Sequence, residues 1–314
     1  MPPRNRPLPT LNDTDVRLLR VFQAVVRQQG FASAQAELGI AAATISNHIA
    51  SLEARLGVRL CNRGRKGFSL TTDGARIHEA SLNLFRSIEN FSSVIGTVRG
   101  ELTGTVQFAT VDAMYTNREL PLVDAVSSFA RAAPGVSLQV DIASPHDLRQ
   151  RLLDGRYQLV LTPLDSPHPS IEAVELFDEV QLLCCGRAHE LFEVHEQHLT
   201  TRLNAPQRYA ARSYSSDLIP PGGFDLRVAA MTSHMESLAL LILSGAYLGH
   251  LPSHYAQAWI EAGEMRPLLP SATSYVDRFR LAHLRREENR AAALLRDCIL
   301  ASLSEAELAR RRSD

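Results

Sequence analysis

The stretch AAATISNHIASLEARLG, Ala41–Gly57, decides the fold of the N-terminal part of this chain. Its apolar residues recur at spacings of four, three and four, which places them on one face of a helix. They are Ile45, Ile49, Leu52 and Leu56. The opposite face carries small, uncharged side chains, namely Ala43, Asn47 and Ala50, with Ser46 and Ser51 at its edges. The pattern predicts a helix with a buried stripe and an outer face of little bulk, and the question is what that face contacts.

Two further helices are predicted before this one. The first follows the polar caps Asn12, Asp13 and Thr14 and ends at Gly30, with an apolar face of Val16, Leu19, Phe22 and Val26. The second is short, with Ala34 and Leu38 inward, and stops at Gly39. The short turn LGI before the third helix contains a glycine and is typical of a helix-turn-helix.

The segment VRLCNRGRKGFSLTTDG, Val58–Gly74, predicts a two-stranded wing. Apolar and polar residues alternate around the glycine-bounded basic tip RGRKG. We expect Arg63, Arg65 and Lys66 to project together and to bind phosphate, the alternative being an ordinary solvated loop.

A long helix is predicted from Thr72 onward, with a heptad seam. Ile77, Leu84, Phe91 and Val98 fall at intervals of seven, and Ser81, Ile88 and Ile95 fill the alternate positions. Because no domain is expected around this seam, it predicts a homodimer in which Ile77, Leu84, Ile88, Phe91 and Ile95 face a second copy. Gly100 and Gly104 are interpreted as a hinge.

Charge divides the 314 residues into unlike parts. Residues 1–103 hold thirteen basic against eight acidic side chains, a balance of +5, and the remainder holds 20 against 26, a balance of −6. A polyanion would therefore meet the N-terminal third. The leader MPPRNRPLPT has no apolar run behind it, and no stretch has the length of a membrane span, so a cytoplasmic protein without membrane contact is expected.

Beyond Gly104 strands alternate with helices, which predicts a parallel sheet with covered faces. Two α/β lobes, joined by crossings near Phe177 and Tyr275, would enclose a cleft that binds a ligand at the carboxyl ends of strands and at helix N-termini. The residues that follow strands and precede helices are the candidate ligand contacts, although capping is an equally good interpretation of each. They are Thr110, Asp112, Ser144, Thr162, Thr232, Ser233 and His234. Helix N-termini favour an anion such as a carboxylate, whereas Asp112 opposes one and would instead receive an amine.

The cysteines and histidines suggest no cofactor or metal site. Cys184 and Cys185 are expected to point to opposite faces of a strand, one into the core and one partly exposed. A redox role is the less favoured alternative, because nothing nearby in the sequence would lower a thiol pKa. The histidines of HEQH, His195–His198, have ligand-like spacing, but a surface helix is the better interpretation because zinc would need a further group placed by the fold.

The order of these parts resembles a LysR-type transcriptional regulator over nearly the whole chain. The motifs GFASAQAELGI, TISNHIASLEARLGVRL and LTTDG carry the resemblance, with looser matches at PGVSLQV, LLDGRYQLVL and MESLALLILSGAYLGHLP. It implies an α+β multidomain protein with a winged helix-turn-helix, a long linker helix and a two-lobed effector domain of the type II periplasmic-binding-protein kind. The expected bounds are a disordered leader 1–10, a DNA-binding domain 11–73, a linker and hinge 74–103, an effector domain 104–305 and a tail 306–314.

The resemblance also implies that a homodimer or tetramer binds double-stranded promoter DNA and responds to a small-molecule effector. In the recognition helix, Ala41–Ala43 stand where the family commonly has Ser-Gln-Pro or Ser-Gln-Ser. Alanine caps poorly, and Ala42 offers only a methyl group to thymine. Base contact therefore falls to Asn47, and Thr44 and Ser46 are expected to make phosphate or water-mediated contacts.

Two other classes of protein compete with this interpretation. An enzyme would suit a two-lobed α/β body, but no G-x-S-x-G, H-E-x-x-H, P-loop or G-x-G-x-x-G motif occurs. A solute-binding protein would explain only the C-terminal part and would leave the basic winged unit unexplained.

Overall fold

The computed structural model describes residues 10–64, 67–98, 102–164, 168–214, 223–286 and 289–313. The chain divides into two compact units, Met1–Glu89 and Asn90–Asp314.

The N-terminal unit begins with three helices, α1 (Asp13–Arg27), α2 (Ala34–Leu38) and α3 (Ala42–Leu56). A capping box starts α1, because the Asn12 side chain accepts hydrogen bonds from the backbone of Thr14 and Asp15 while the Asp15 side chain accepts one from the Asn12 backbone. Gly39 and Gly57 end α2 and α3 in the left-handed conformation. The predicted trihelical unit is confirmed.

The core of this unit joins all three helices. Its helical members are Leu18, Leu19, Phe22, Val25, Ala34, Ile45, Ile49 and Leu52. The buried face of α1 differs from the predicted one, because Leu18 and Val25 are buried whereas Val16 and Val26 are half-buried.

The predicted wing and long helix follow. Strands β1 (Cys61–Gly64) and β2 (Gly67–Leu70) pair antiparallel, with Cys61 opposite Leu70. Helix α4 (Thr72–Val98) begins where the Thr71 hydroxyl accepts a hydrogen bond from Gly74 N at 2.8 Å. Gly104 is the first residue of the next strand, and Gly100, the other glycine of the expected hinge, lies outside the described residues.

The C-terminal unit alternates strands and helices as predicted. In chain order its elements are β3 (Gly104–Thr110), α5 (Leu122–Ala132), β4 (Val136–Ile142), α6 (Pro145–Leu153), β5 (Leu159–Pro163), β6 (Ile171–Gly186), α7 (Glu196–Leu203), β7 (Gln207–Arg212), β8 (Leu226–Thr232), α8 (Met235–Leu243), β9 (Gly249–Pro252), α9 (Ser253–Glu261), β10 (Met265–Pro267), α10 (Pro270–Thr273), β11 (Tyr275–Leu284) and α11 (Arg290–Ser313).

Two long strands connect the lobes of this unit. Strands β6 and β11 pair antiparallel from Ile171 opposite Leu284 to Gln181 opposite Tyr275. Lobe 1 contains β3–β5 with α5, α6 and α11 around one core, and lobe 2 contains β7–β10 with α7–α10 around two further clusters. The crossings predicted near Phe177 and Tyr275 are therefore confirmed as continuous strands.

Three details of the sequence prediction are wrong. The sheet is mixed, because β3 pairs parallel with β4 and β5 while β11 pairs antiparallel with β5 and β6. The residue pattern predicts a helix from near Arg118 to Ala132, but α5 begins at Leu122, since Pro121 precedes its first turn. Helix α11 continues to Ser313, through the residues that were expected to form a tail.

Candidate DNA-binding and effector sites

The outer face of α3 is exposed as predicted. Ile45, Ile49 and Leu52 have no exposed surface. The side chains left on the outside are small and uncharged: Ala43, Thr44, Asn47, Ala50 and Ser51 are exposed, and Ala42, Ser46 and His48 are half-buried. The Asn47 carboxamide on this face is therefore available to hydrogen-bond the edge of a base, as the sequence indicated.

The weak cap of α3 is compensated from α2. Ala41 has no side chain that could cap, but the Gln35 Oε1 atom accepts a hydrogen bond from Ala42 N at 3.1 Å. The Gln35 Nε2 atom donates to the carbonyl oxygen of Ala32 at 3.2 Å. One carboxamide thus satisfies an N-terminal donor of α3 and fixes the turn between the two helices.

Replacing Gln35 tests this borrowed cap. We expect Gln35→Ala to lower the free energy of unfolding of the N-terminal unit by about 1 kcal/mol, as loss of a helix cap does. Gln35→Glu keeps the acceptor for Ala42 N and adds a negative charge at the helix N-terminus, but it loses the donor to the Ala32 carbonyl, so it should lose less stability than Gln35→Ala. Urea unfolding of the three proteins checks the order. Equal losses in both variants would show that the Ala42 contact is not the cause.

Two side chains of α3 fix the helix from its other end. The Asp15 carboxylate, only 2% exposed, accepts two hydrogen bonds from the Arg55 guanidinium. The Glu53 carboxylate accepts hydrogen bonds from the backbone of Leu60 at 2.8 Å and of Cys61 at 3.2 Å, which ties α3 to the start of the wing.

The basic residues of the wing are only partly described. Arg63 lies on β1 opposite Phe68, and its side chain lies outside the described residues. Arg65 and Lys66 also lie outside them. Their contact with phosphate stays a prediction.

The heptad seam of α4 has two parts. Ile77 and Leu84 are half-buried against the trihelical core, so the expectation that no domain surrounds the seam is wrong at this end. Ile88 is half-buried, whereas Phe91 is 66% and Ile95 is 41% exposed. The exposed apolar residues of the seam therefore lie toward the C-terminal end of the helix.

In lobe 1, the predicted effector residues lie at the ends of β3, β4 and β5. Thr110 ends β3 and is 5% exposed, and its Oγ1 atom finds no hydrogen-bond partner among the described residues. The Ser144 hydroxyl caps α6, accepting from Asp147 N at 3.2 Å and donating to the Asp147 carboxylate. Thr162 has no exposed surface. Capping thus accounts for Ser144, while Thr110 is left with unmet hydrogen-bonding capacity.

Asp112 joins the two lobes. Its Oδ2 atom accepts a hydrogen bond at 2.5 Å from Met235 N, in the first turn of α8, and lies 4.0 Å from His234 Nδ1. The next residue, Ala113, has φ +64° and packs in a core cluster of lobe 2. This left-handed backbone, unusual for alanine, turns the loop across to the other lobe. Thr232 and His234 are joined locally, because His234 N donates to Thr232 Oγ1 at 3.3 Å, and Ser233 is exposed.

A polar network that sequence reasoning missed continues between the lobes. His254 of α9 contacts Thr116 of lobe 1 through Nδ1 at 2.8 Å and Glu179 of β6 through Nε2 at 2.8 Å. Gln181 donates to Glu179 at 2.6 Å and accepts from Arg212 Nη2 at 2.5 Å. No local motif indicates these residues, because they come from separate segments that only the fold brings together.

Arg212, the last residue of β7, is the fixed cation of this network. Its side chain is 11% exposed, lies 3.7 Å from Asp277 and interacts electrostatically with Tyr214. Burial disfavours its charge, yet the neighbouring phenols and carboxylates keep the pKa of Arg212 raised. Its Nε atom is buried and finds no hydrogen-bond partner among the described residues. Arg212 therefore carries a buried positive charge, and its Nε–H group can still donate a hydrogen bond.

His250 beside it adds no charge. Burial lowers the pKa of His250 to about 4, so the ring is neutral at pH 7. Its Nε2 atom faces the Thr273 carbonyl at 2.9 Å and its Nδ1 atom faces the Tyr209 hydroxyl at 2.9 Å. The ring thus donates to Thr273 and accepts from Tyr209, within lobe 2.

The cysteine pair lies in the core. Cys184 and Cys185 belong to different core clusters, so they point to opposite faces as predicted, but both are fully buried and the expected partly exposed thiol is absent from this pair. Burial raises the pKa of each thiol to about 12. Both faces of β6 are covered at this point, which the sequence pattern did not indicate.

The described residues contain no group of three His, Cys, Asp or Glu side chains that could hold a metal ion. His189 is buried, and its Nδ1 atom accepts a hydrogen bond from Leu191 N at 3.1 Å. Among the described helices, none is long and apolar enough to cross a membrane.

A winged helix-turn-helix with an exposed outer helix face, in one chain with a two-lobed unit that has a polar interior, defines an effector-responsive transcription regulator. Residues 16–75 match the family "Bacterial regulatory helix-turn-helix protein, lysR family", and residues 99–304 match "LysR substrate binding domain". The chain belongs to the LysR family. It is a DNA-binding transcriptional regulator with an effector-binding domain and not an enzyme.

Individual proteins show the same similarity. The activator BauR of Pseudomonas aeruginosa is 34% identical over 273 residues, covering 87% of this chain and 90% of BauR. The regulator DmlR of Escherichia coli is 28% identical over 193 residues, covering 62% of this chain and 59% of DmlR. The crystal structure of full-length CbnR complexed with its target DNA has a TM-score of 0.66 at 19% identity, covering 91% of this chain and 99% of CbnR, and so shares the fold.

Proposed function

We propose that the outer face of α3 and the basic wing bind promoter DNA, with Asn47 reading a base edge. The observation that carries this assignment is the exposure of Asn47 directly opposite the buried stripe of α3. The +5 balance of residues 1–103 supports it, as does the structure of CbnR complexed with its target DNA. Arg63, Arg65 and Lys66 bind phosphate, Thr44 and Ser46 bind phosphate or water, and Ala42 contacts a thymine methyl group.

Footprinting on the DNA that flanks the protein's own gene tests this proposal. Asn47→Ala should reduce the preference for that DNA over random DNA by about tenfold, the value of one good base contact. Arg63→Ala should weaken binding to both DNAs alike and lower the salt slope by about one. Arg227→Ala, an exposed arginine of the C-terminal unit paired with Asp225, is the matched control. Protection of this DNA no stronger than that of random DNA would refute the proposal.

The second proposed site is the effector site in the C-terminal unit. We propose that a small molecule binds between the lobes, near Thr110, Asp112, Thr232, Ser233 and His234, with Ser144 and Thr162 at the adjoining strand ends. The meeting of Asp112 with His234 and Met235 supports this place.

Members of the LysR family form oligomers. We propose a homodimer or tetramer that pairs through α4, with Phe91 and Ile95 contributing apolar surface beside the half-buried Ile88. Ile77 and Leu84 pack on the trihelical core instead. We also propose the domain bounds that the family resemblance implies: 11–73 for the DNA-binding domain, 74–103 for the linker and 104–305 for the effector domain. A cytoplasmic location is proposed because the DNA partner lies there.

A further inference from the structure

The charges between the lobes limit which effectors the site accepts. Among the described residues, the Arg212 guanidinium interacts with the carboxylates of Asp277 and Glu179. A third carboxylate between the lobes, that of Asp112, lies at the first turn of α8. A purely anionic effector would be repelled, because carboxylates outnumber cations around it. A purely cationic effector would be repelled by the buried Arg212 guanidinium.

The N-terminus of α8 does not offer an open anion site. Its Met235 N–H already donates to the Asp112 carboxylate at 2.5 Å. This carboxylate satisfies the donor and the helix dipole, as an anionic ligand would. A carboxylate effector placed there would have to displace Asp112 and would be repelled by it. The sequence expectation of an anion at the helix start therefore does not suit α8.

Two polar atoms nearby lack partners among the described residues. Arg212 Nε and Thr110 Oγ1 are both buried without a hydrogen bond, a costly condition that a bound ligand would relieve. Arg212 pairs with Thr232 across β7 and β8, and Thr232 hydrogen-bonds His234 beside Met235. The backbone of Arg212 therefore lies one strand away from the segment that contacts Asp112. The Tyr214 phenol interacts electrostatically with both Arg212 and Asp112.

We propose that the effector is a small zwitterion of the amino-acid class, whose carboxylate binds Arg212 and whose ammonium group binds Asp112. This inference rests on the proposed effector site between the lobes. A guanidinium with an unused N–H is suited to a carboxylate, and the half-shielded Asp112 carboxylate retains lone pairs for an ammonium group. Thr110 Oγ1 supplies an additional hydroxyl for the bound ligand. A zwitterion leaves the net charge between the lobes unchanged, which neither a simple carboxylate nor a simple amine does.

Ligand panels matched in carbon skeleton test the charge requirement. The full-length protein is screened by thermal shift and calorimetry with the standard amino acids and with ω-amino acids of three to six carbons. Each is compared with its deaminated acid and its decarboxylated amine. We expect at least one amino acid to bind at least about tenfold more tightly than both of its analogues, since each analogue leaves one buried charge unpaired.

Two substitutions separate the charge requirement from a structural role. Asp112→Asn keeps an acceptor for Met235 N but removes the negative charge, so it should weaken the amino acid about tenfold and strengthen the deaminated acid. Arg212→Gln should abolish carboxylate-dependent binding. Because loss of a buried arginine risks misfolding, Arg212→Lys serves as a second variant that keeps the charge and should retain weakened binding. Asp225→Asn, at an exposed carboxylate of the same lobe, is the matched control and should bind as wild type.

The results have distinct meanings. Analogue acids or amines that bind as tightly as the amino acids, or Asp112→Asn with unchanged selectivity, would overturn the zwitterion assignment. So would a panel in which no amino acid binds. Operator footprinting in the same preparation reports on DNA binding independently, so failure of this inference is distinguishable from failure of the proposed regulator function.

Discussion

A Gly74→Ala variant is expected to lose much of the stability of the N-terminal unit, and its operator affinity with it. A Cβ atom at Gly74 would lie 2.0 Å from the Leu60 carbonyl oxygen, 2.8 Å from its carbonyl carbon and 3.0 Å from its Cα atom. These are backbone atoms, so no rotamer change relieves the contact. The first turn of α4 and the start of the wing would have to separate, which breaks the hydrogen bond from Thr71 N to the Leu60 oxygen. We expect a loss of about 3 kcal/mol, at the upper end of overpacking costs.

Hydrogen exchange of the full-length protein, resolved by segment, measures this loss. Faster exchange should appear in residues 58–74 and in the helices packed on them, together with weaker operator binding. Gly30→Ala is the matched control, because a Cβ atom there would meet only Ser33 Oγ at 3.6 Å, an ordinary contact. If Gly74→Ala exchanges at the control's rate, the close approach of α4 to Leu60 is not required for the fold.

The recognition helix shows what the sequence could and could not predict. The spacing of Ile45, Ile49 and Leu52 predicted the buried stripe correctly, because helical periodicity is a local property of the chain. The absence of a cap at Ala41 was also read correctly. The hydrogen bond by which Gln35 replaces that cap was not predicted. It depends on the angle between α2 and α3, which a residue pattern does not specify.

The space between the lobes shows the same limit more strongly. Strand-to-helix positions indicated Asp112 and His234, and these two residues do meet. Arg212, Glu179 and His254 were missed, because each lies in a segment where a single charged or polar residue looks like ordinary surface. These side chains are functional candidates because the fold buries them. That burial depends on β6 and β11 running continuously between the lobes.

The second large effect is expected from Arg55→Met. Asp15 is buried, and Arg55 supplies two of the hydrogen bonds to its carboxylate, the third coming from Asn12 N at 3.0 Å. Without Arg55 the carboxylate stays buried with one donor, a condition far less favourable than loss of an exposed ion pair. We therefore expect a fall in the unfolding midpoint at pH 7 several times larger than that of Arg27→Met, whose partner Glu37 lies on the surface.

The pH dependence identifies the cause of this loss. The hydrogen bonds from Arg55 hold the pKa of Asp15 below its ordinary value of about 3.9 in the folded chain. A lowered native pKa contributes stability that is fully present above the unfolded value and is lost as the pH falls through the native value. The difference in unfolding free energy between wild type and Arg55→Met should therefore be constant from about pH 5 to 8 and should shrink below about pH 4. Urea unfolding across this range measures it. A difference that stays constant down to pH 2 would mean that Arg55 stabilises α3 through packing of its aliphatic stem rather than through Asp15.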